Sequence, residues 1–117
     1  MKQPIVLERR LPRYVTVFIT IDNVEYKCPY SEDPVRARIE ITYVTRGALL
    51  EYRSLERYVH EVAKTKKWLT EELAVYLATT LTKLLDTYED LPQGLSHHVR
   101  VAIEHQETPS THIRVTT

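Results

Sequence analysis

The chain has 117 residues, 43% hydrophobic and 27% charged, and its 16 basic and 16 acidic residues cancel. This length predicts one domain, residues 1–117, and the balanced charge means that a nucleic-acid partner would need a local basic patch. The chain has only two glycines, which is too few for a glycine-rich phosphate loop, and only one cysteine, which cannot form an intramolecular disulfide.

Two segments near the N-terminus alternate between apolar and polar residues, as strands do when one face is buried. In residues 14–21 the apolar face consists of Val15, Val17, Ile19 and Ile21. In residues 35–44 it consists of Ala37, Ile39, Ile41 and Tyr43. The polar segment DNVEYKCPYSEDP between them, which holds two prolines, predicts a loop, and Arg46–Gly47 predicts a turn.

The apolar period then becomes that of amphipathic helices. The buried face of the first helix is predicted to hold Leu55, Tyr58, Val59, Val62 and Ala63, and this helix fades in KTKK. The second is predicted to begin at Thr70 as its N-cap, with Glu71 and Glu72 in its first turn. Its apolar stripe is Leu73, Ala74, Leu77, Leu81, Leu84, Leu85 and Tyr88, before the stop at residues 91–94.

The C-terminal part returns to the alternation of strands. One predicted face holds His97, Val99, Val101, Ile103 and His105, and a short strand follows around His112–Val115. The order ββααββ predicts an α+β fold, an antiparallel sheet with both helices on one face. Such a sheet has two free edges, which a single subunit protects or which subunits pair with one another to close a barrel.

Cys28 is the first candidate for chemistry because it is the only cysteine and lies in a predicted loop. A free cysteine is usually a buried, inert residue, and a reactive thiolate needs a cation, a base or a helix N-terminus nearby. Neither metal-ligand motifs nor suitable spacing of histidines is present, so no metal is predicted. His98, His105 and His112 are interpreted as surface or satisfied histidines.

Two charged groups allow a structural or a functional interpretation. Glu71 and Glu72 are placed where acidic residues complement a helix dipole. The lysines near Trp68 are typical of a solvated helix end, but they could also contact phosphates beside an aromatic ring. These lysines are Lys64, Lys66 and Lys67.

Three motifs resemble the 7-cyano-7-deazaguanine reductases of queuosine synthesis (QueF), a tunnel-fold family. The segment CPYSEDPVRARIEITYV is similar to the pattern Cys-Pro-x-Thr-Gly-x-Pro-Asp that runs into a strand, and it aligns Cys28 with the cysteine. The segment LEYRSL, residues 50–55, resembles Val-Glu-Ser-Lys-Ser-Leu, and Thr70-Glu71 falls where the family has His-Glu. The resemblance covers residues 25–90 and agrees with the ββααββ order.

The resemblance implies a tunnel fold whose subunits assemble into a ring-like barrel, such as a decamer of two pentamers. It implies that Cys28 adds to a nitrile carbon and forms a covalent thioimide. It also implies that Glu71 anchors a purine-like ring through its N–H groups, with Glu51 and Ser54 of the second motif as further substrate-binding residues.

Three departures from the reductases indicate a different branch. The aspartate that donates a proton to the nitrile is replaced by Val35, the histidine before the glutamate by Thr70, and two lysines of the NADPH motif by Arg53 and Glu56. The chain looks like the QueF-like archaeosine synthases, which need no cofactor. This branch implies a tRNA amidinotransferase that adds ammonia to the nitrile of 7-cyano-7-deazaguanine in the tRNA D-loop, giving a formamidine.

That interpretation predicts the partners of the protein. They are 7-cyano-7-deazaguanine-modified tRNA, ammonia and further copies of the chain, and the tRNA contacts are expected from Lys64, Lys66, Lys67, Arg36 and Arg38. An NADPH-dependent nitrile reductase and a non-catalytic purine- or tRNA-binding protein are the alternatives. No membrane-spanning run and no signal-peptide core is present, so a cytoplasmic location is expected.

Overall fold

A computed structural model describes all residues, 1–117, as an antiparallel sheet with two helices on one face. The elements in chain order are β1 (Val6–Glu8), β2 (Val15–Lys27), β3 (Pro34–Thr45), β4 (Ala48–Leu50), α1 (Tyr52–Ala63), α2 (Thr70–Tyr88), β5 (Arg100–Thr108) and β6 (Thr111–Thr116). The main sheet has the order β2-β3-β5-β6, and the short strands β1 and β4 pair separately. This confirms the predicted α+β class and the ββααββ order of the larger elements. Neither helix combines the length and apolar character that crossing a membrane requires.

Most residues of the predicted apolar faces form the core between the sheet and the helices, although Val15, Val17 and Ile19 of β2 are only half-buried. The face of β3, the five residues of α1 and the face of residues 97–105 are all buried. The α2 stripe is buried from Leu73 to Leu85, but Tyr88 is 46% exposed, so its predicted burial is wrong. Tyr88 is the last residue of α2, so it lies at the end of the buried stripe.

The predicted loop after Ile21 is mostly strand, which corrects the sequence interpretation. The pairing of β2 with β3 shifts between Ile21 and Val24, and Asn23 has a φ of 57°. This bulge shifts the alternation by one residue. Val24 and Tyr26 are therefore buried, whereas strict alternation after Ile21 would have buried Asn23 and Glu25. The true loop is therefore short, residues 28–33.

His97 ties the end of α2 to the turn between β3 and β4. Its buried ring places Nδ1 2.5 Å from Asp86 Oδ1 and Nε2 2.9 Å from Glu89 Oε1, and Thr45 Oγ1 donates to the same Glu89 oxygen at 2.9 Å. Only a doubly protonated imidazole can donate to both carboxylates. Burial by itself raises the pKa of Asp86 and of Glu89, but hydrogen bonds, chiefly from His97, outweigh it and hold both pKa values below their ordinary range.

Glu89→Gln is expected to lower the free energy of unfolding at neutral pH by about 1–3 kcal/mol, because it weakens a hydrogen bond to a charged, buried partner. Folding lowers the pKa of Glu89, so its contribution is complete above the unfolded value of about 4.3 and is lost as the pH falls through the folded pKa. Urea unfolding between neutral and acid pH should therefore show a weaker pH dependence in the variant. Glu61→Gln, at an exposed acid of α1, is the control, and an unchanged acid dependence in Glu89→Gln would contradict the interpretation.

Candidate active site

The loop that carries Cys28 is anchored where it leaves β2. The backbone N–H of Trp68, in the connection between the helices, donates to the Lys27 carbonyl at 2.8 Å. Within the loop, the N–H of Ser31 donates to the Cys28 carbonyl at 3.3 Å and forms a tight turn. Because Trp68 is itself buried, these contacts fix the partly exposed thiol relative to the start of α2.

The first turn of α2 differs from the predicted cap. The N-cap is Leu69, whose N–H donates to the Glu72 carboxylate at 3.0 Å, and Thr70 is already helical. The Thr70 hydroxyl instead bonds the buried Tyr26 hydroxyl at 2.7 Å. The prediction of Thr70 as N-cap is thus wrong. The Glu72 carboxylate bonds the Leu69 N–H, and the Thr70 hydroxyl is free to bond Tyr26 of β2. Glu71 has no part in the cap.

An open cleft of about 650 Å³ lies between the Cys28 loop, the start of α2 and the ends of β5 and β6. It brings Cys28 and Glu71 together within one chain, whereas Glu72 does not line it. Val35, where the reductases have an acid, also lines the cleft. The complete lining is Cys28, Tyr30, Ser31, Asp33, Pro34, Val35, Arg36, Leu69, Thr70, Glu71, His105, Gln106, Glu107 and Ile113.

Tyr26 is a buried residue next to this cleft, and its hydroxyl is the polar group there. Burial raises the pKa of its hydroxyl, the hydrogen bond to Thr70 opposes that rise, and the charges of Cys28, Glu107 and Glu71 add to it. The hydroxyl therefore stays protonated at neutral pH. All three of these charged groups line the cleft.

His105 is a member of the cleft that the sequence interpretation set aside. The residue is only 7% exposed and its ring lies edge-on to Tyr26, with 6.5 Å between the ring centroids. Its Nδ1 is 3.5 Å from Glu107 Oε2. The alternation of residues 97–105 had already placed this side chain on the buried face, and that was the signal for its position beside the cleft.

Glu51 and Ser54 lie away from the cleft, at the start of α1. The Glu51 carboxylate caps the helix by accepting from the N–H groups of Arg53 at 2.7 Å and Ser54 at 2.9 Å. These bonds hold its pKa below the ordinary value. The buried Ser54 hydroxyl accepts from the Ile5 N–H at 2.8 Å. Their substrate-binding role stays a prediction.

The basic residues fall into two groups. Lys64, Lys66 and Lys67 line a second cleft of about 550 Å³ together with Lys27 and with the acidic residues Glu25 and Glu32. Lys66 Nζ lies 4.3 Å from the centroid of the Trp68 ring. Arg36 and Arg38 of β3 each form an ion pair with an acidic residue of β2. Arg36 Nη2 lies 3.6 Å from Glu25 Oε1, and Arg38 Nε lies 2.9 Å from Asp22 Oδ1.

Comparison with known proteins places the fold. No model of a protein family and no curated protein sequence matches the chain. Among solved structures, the chain is similar to the crystal structure of the archaeosine synthase QueF-Like in the apo form, with a TM-score of 0.67 and 19% sequence identity. The match covers 92% of this chain and 94% of that chain. The resemblance noted in the sequence is thus confirmed for the fold, and the chain has the tunnel fold of the QueF-like archaeosine synthase structure.

Proposed function

We propose that the protein is a tRNA amidinotransferase that converts the nitrile of 7-cyano-7-deazaguanine, carried in the tRNA D-loop, to a formamidine with ammonia. The observation that carries the proposal is that Cys28, from a loop, and Glu71, from a helix, line the same cleft. The similar solved structure is an archaeosine synthase. Because one fold can serve many reactions, the fold supports the proposal only together with this cleft.

The two side chains suit the two parts of the substrate. A thiolate is a nucleophile for the electrophilic nitrile carbon, and covalent addition divides one difficult step into two easier ones. A carboxylate can accept two N–H groups from the edge of a guanine-like ring. Glu71 is free to do so because Glu72 caps the helix. Cys28 would bond the nitrile carbon while Glu71 holds the ring.

Reduction of the nitrile is the less supported alternative. Val35 lines the cleft as an apolar side chain where the reductases have their acid. Arg53 and Glu56, which replace two lysines of the NADPH motif, are exposed on α1. A carboxylate at Glu56 would repel a cofactor phosphate. Addition of ammonia needs neither a hydride nor NADPH.

The neutral chain would bind tRNA through a local patch. Lys27, Lys64, Lys66 and Lys67 converge on one cleft beside the Cys28 loop, where contacts to phosphates would add up and weaken with salt. Arg36 and Arg38 already have acidic partners, so their contribution to tRNA binding would require them to exchange those pairs.

Assembly into a ring is part of the same proposal. The outer strands of the sheet, β2 and β6, have unpaired edges. On the sheet face away from the helices, Phe18 is 76% exposed. Pairing β2 of one subunit with β6 of the next would remove both edges and repeat the lysine cleft around the ring.

Incubation with free 7-cyano-7-deazaguanine is expected to increase the intact mass of the protein by one ligand mass, because the thioimide is covalent. Cys28→Ala should bind the base but show no increase. The measurement is electrospray mass spectrometry after an acid quench. A saturated wild-type protein without any adduct would contradict Cys28 as nucleophile and favour a protein that only binds a purine or tRNA.

Glu71→Ala is expected to weaken binding of the free base by about a hundredfold, or 3 kcal/mol, since it removes a charged acceptor of two ring hydrogen bonds. Glu72→Ala is the matched control on the same turn, and it should affect the stability of α2 but not binding. Isothermal titration calorimetry measures both. Weakened binding in Glu72→Ala alone would move the anchor by one position.

A further inference from the structure

We infer that His105 is the proton carrier of this cleft, giving a proton to the nitrile nitrogen and then taking one from ammonium. The inference rests on the proposed function and names a residue for a step that Cys28 and Glu71 leave open. Addition of sulfur to the nitrile places a negative charge on nitrogen, which must be neutralised by a proton. Ammonium, the prevailing form of the nitrogen donor at neutral pH, must lose a proton before it can attack.

The environment of His105 suits this exchange. The residue is 93% shielded, and its ring is positioned by the edge-on contact with Tyr26 and by the alternation of β5. Its only charged contact is Nδ1 to Glu107 Oε2 at 3.5 Å. Neither ring nitrogen of His105 has a hydrogen bond, and every fully buried side-chain nitrogen or oxygen of the chain has one, so both ring nitrogens keep some contact with solvent. A side chain that is held firmly yet has a free nitrogen at a cleft can transfer protons.

The other titratable groups of the cleft are less suited to the exchange. They come from β2, the Cys28 loop, β3, α2 and β5. Tyr26 and Glu107 contact His105, and the others that line the cleft are Cys28, Tyr30, Asp33, Arg36 and Glu71. Cys28 and Glu71 are already used, Tyr26 is bonded to Thr70, and an arginine does not release its proton. The remaining carboxylates, Asp33 and Glu107, give the cleft a negative charge that attracts an ammonium ion. Histidine is the side chain that gains and loses a proton most readily near neutral pH.

Protons and electrons balance over the whole reaction when His105 has this role. The Cys28 thiolate bonds the nitrile carbon, one π pair moves to nitrogen, and the His105 imidazolium protonates that nitrogen to give the thioimide. Neutral His105 then removes a proton from ammonium, and the ammonia lone pair bonds the same carbon. After a proton shifts from the new nitrogen to the old one, the carbon–sulfur bond breaks with its pair on sulfur. The products are an amidinium, a thiolate and an imidazolium, so nitrile plus ammonium gives amidinium without an oxidant or a reductant.

Two separate stages test the inference in His105→Gln, which keeps a polar side chain but cannot carry a proton. Without ammonium, adduct formation with free 7-cyano-7-deazaguanine is followed by quenched-flow intact mass, and we expect it to slow about a hundredfold or more. Ammonium chloride is then added to the preformed adduct, and its loss is followed in the same way. This stage should also be slow at neutral pH and should recover toward wild type in alkaline buffer, where free ammonia is abundant. His112→Gln, at an exposed histidine of β6, should match wild type in both stages.

The outcomes separate the two proposals. If wild type forms no adduct, the proposed function fails; if wild type reacts and His105→Gln reacts at a similar rate, only the role of His105 is overturned. A thermal melt checks that His105→Gln is folded. If it is not, Glu107→Gln decides, because loss of the carboxylate 3.5 Å from Nδ1 should leave the ring less well oriented and slow adduct formation. An unchanged rate of adduct formation in a folded Glu107→Gln overturns the role of His105.

Discussion

The hydrogen bond between the hydroxyls of Tyr26 and Thr70, at 2.7 Å, joins the end of β2 to the first turn of α2. It is available because Glu72, and not Thr70, caps the helix. The strand continues directly into the Cys28 loop, and the helix presents Glu71 one residue beyond Thr70. This part-buried contact therefore helps to fix the position of Cys28 relative to Glu71, although the two residues are 43 positions apart in the sequence. It acts together with the backbone bond from Trp68 to Lys27, which holds the Cys28 loop beside the start of α2.

The elements with regular periodicity could be predicted from local patterns, and the site could be predicted only in part. Alternation and the 3.6-residue period identified the buried faces because burial acts on every second or every third and fourth residue. The bulge at Asn23 was not predicted, because one inserted residue breaks the alternating pattern while the strand continues. Local rules also favour threonine as a cap, and they cannot know that a tyrosine 44 residues away competes for its hydroxyl.

The site residues show the same limit. Cys28 and Glu71 were identified as candidates by resemblance to a family, since nothing in the local sequence marks the thiol as reactive or distinguishes Glu71 from Glu72. His105 was on a predicted buried face, but its neighbours Tyr26 and Glu107 come together only through the pairing of strands. Glu51, in contrast, belongs to the matching motif, and in the structure its carboxylate caps α1. A sequence motif can therefore identify a position, but the hydrogen bonds in the structure determine whether the side chain there is available to bind a ligand.

The proposed chemistry requires one arrangement above all, a 7-deazaguanine held by Glu71 with its nitrile at the sulfur of Cys28. A crystal structure of the protein after incubation with 7-cyano-7-deazaguanine measures this arrangement most directly. The account predicts continuous electron density between Cys28 Sγ and the former nitrile carbon, with the ring N–H edge against Glu71. A base bound outside this cleft, or bound in it with the thiol turned away, would contradict the account.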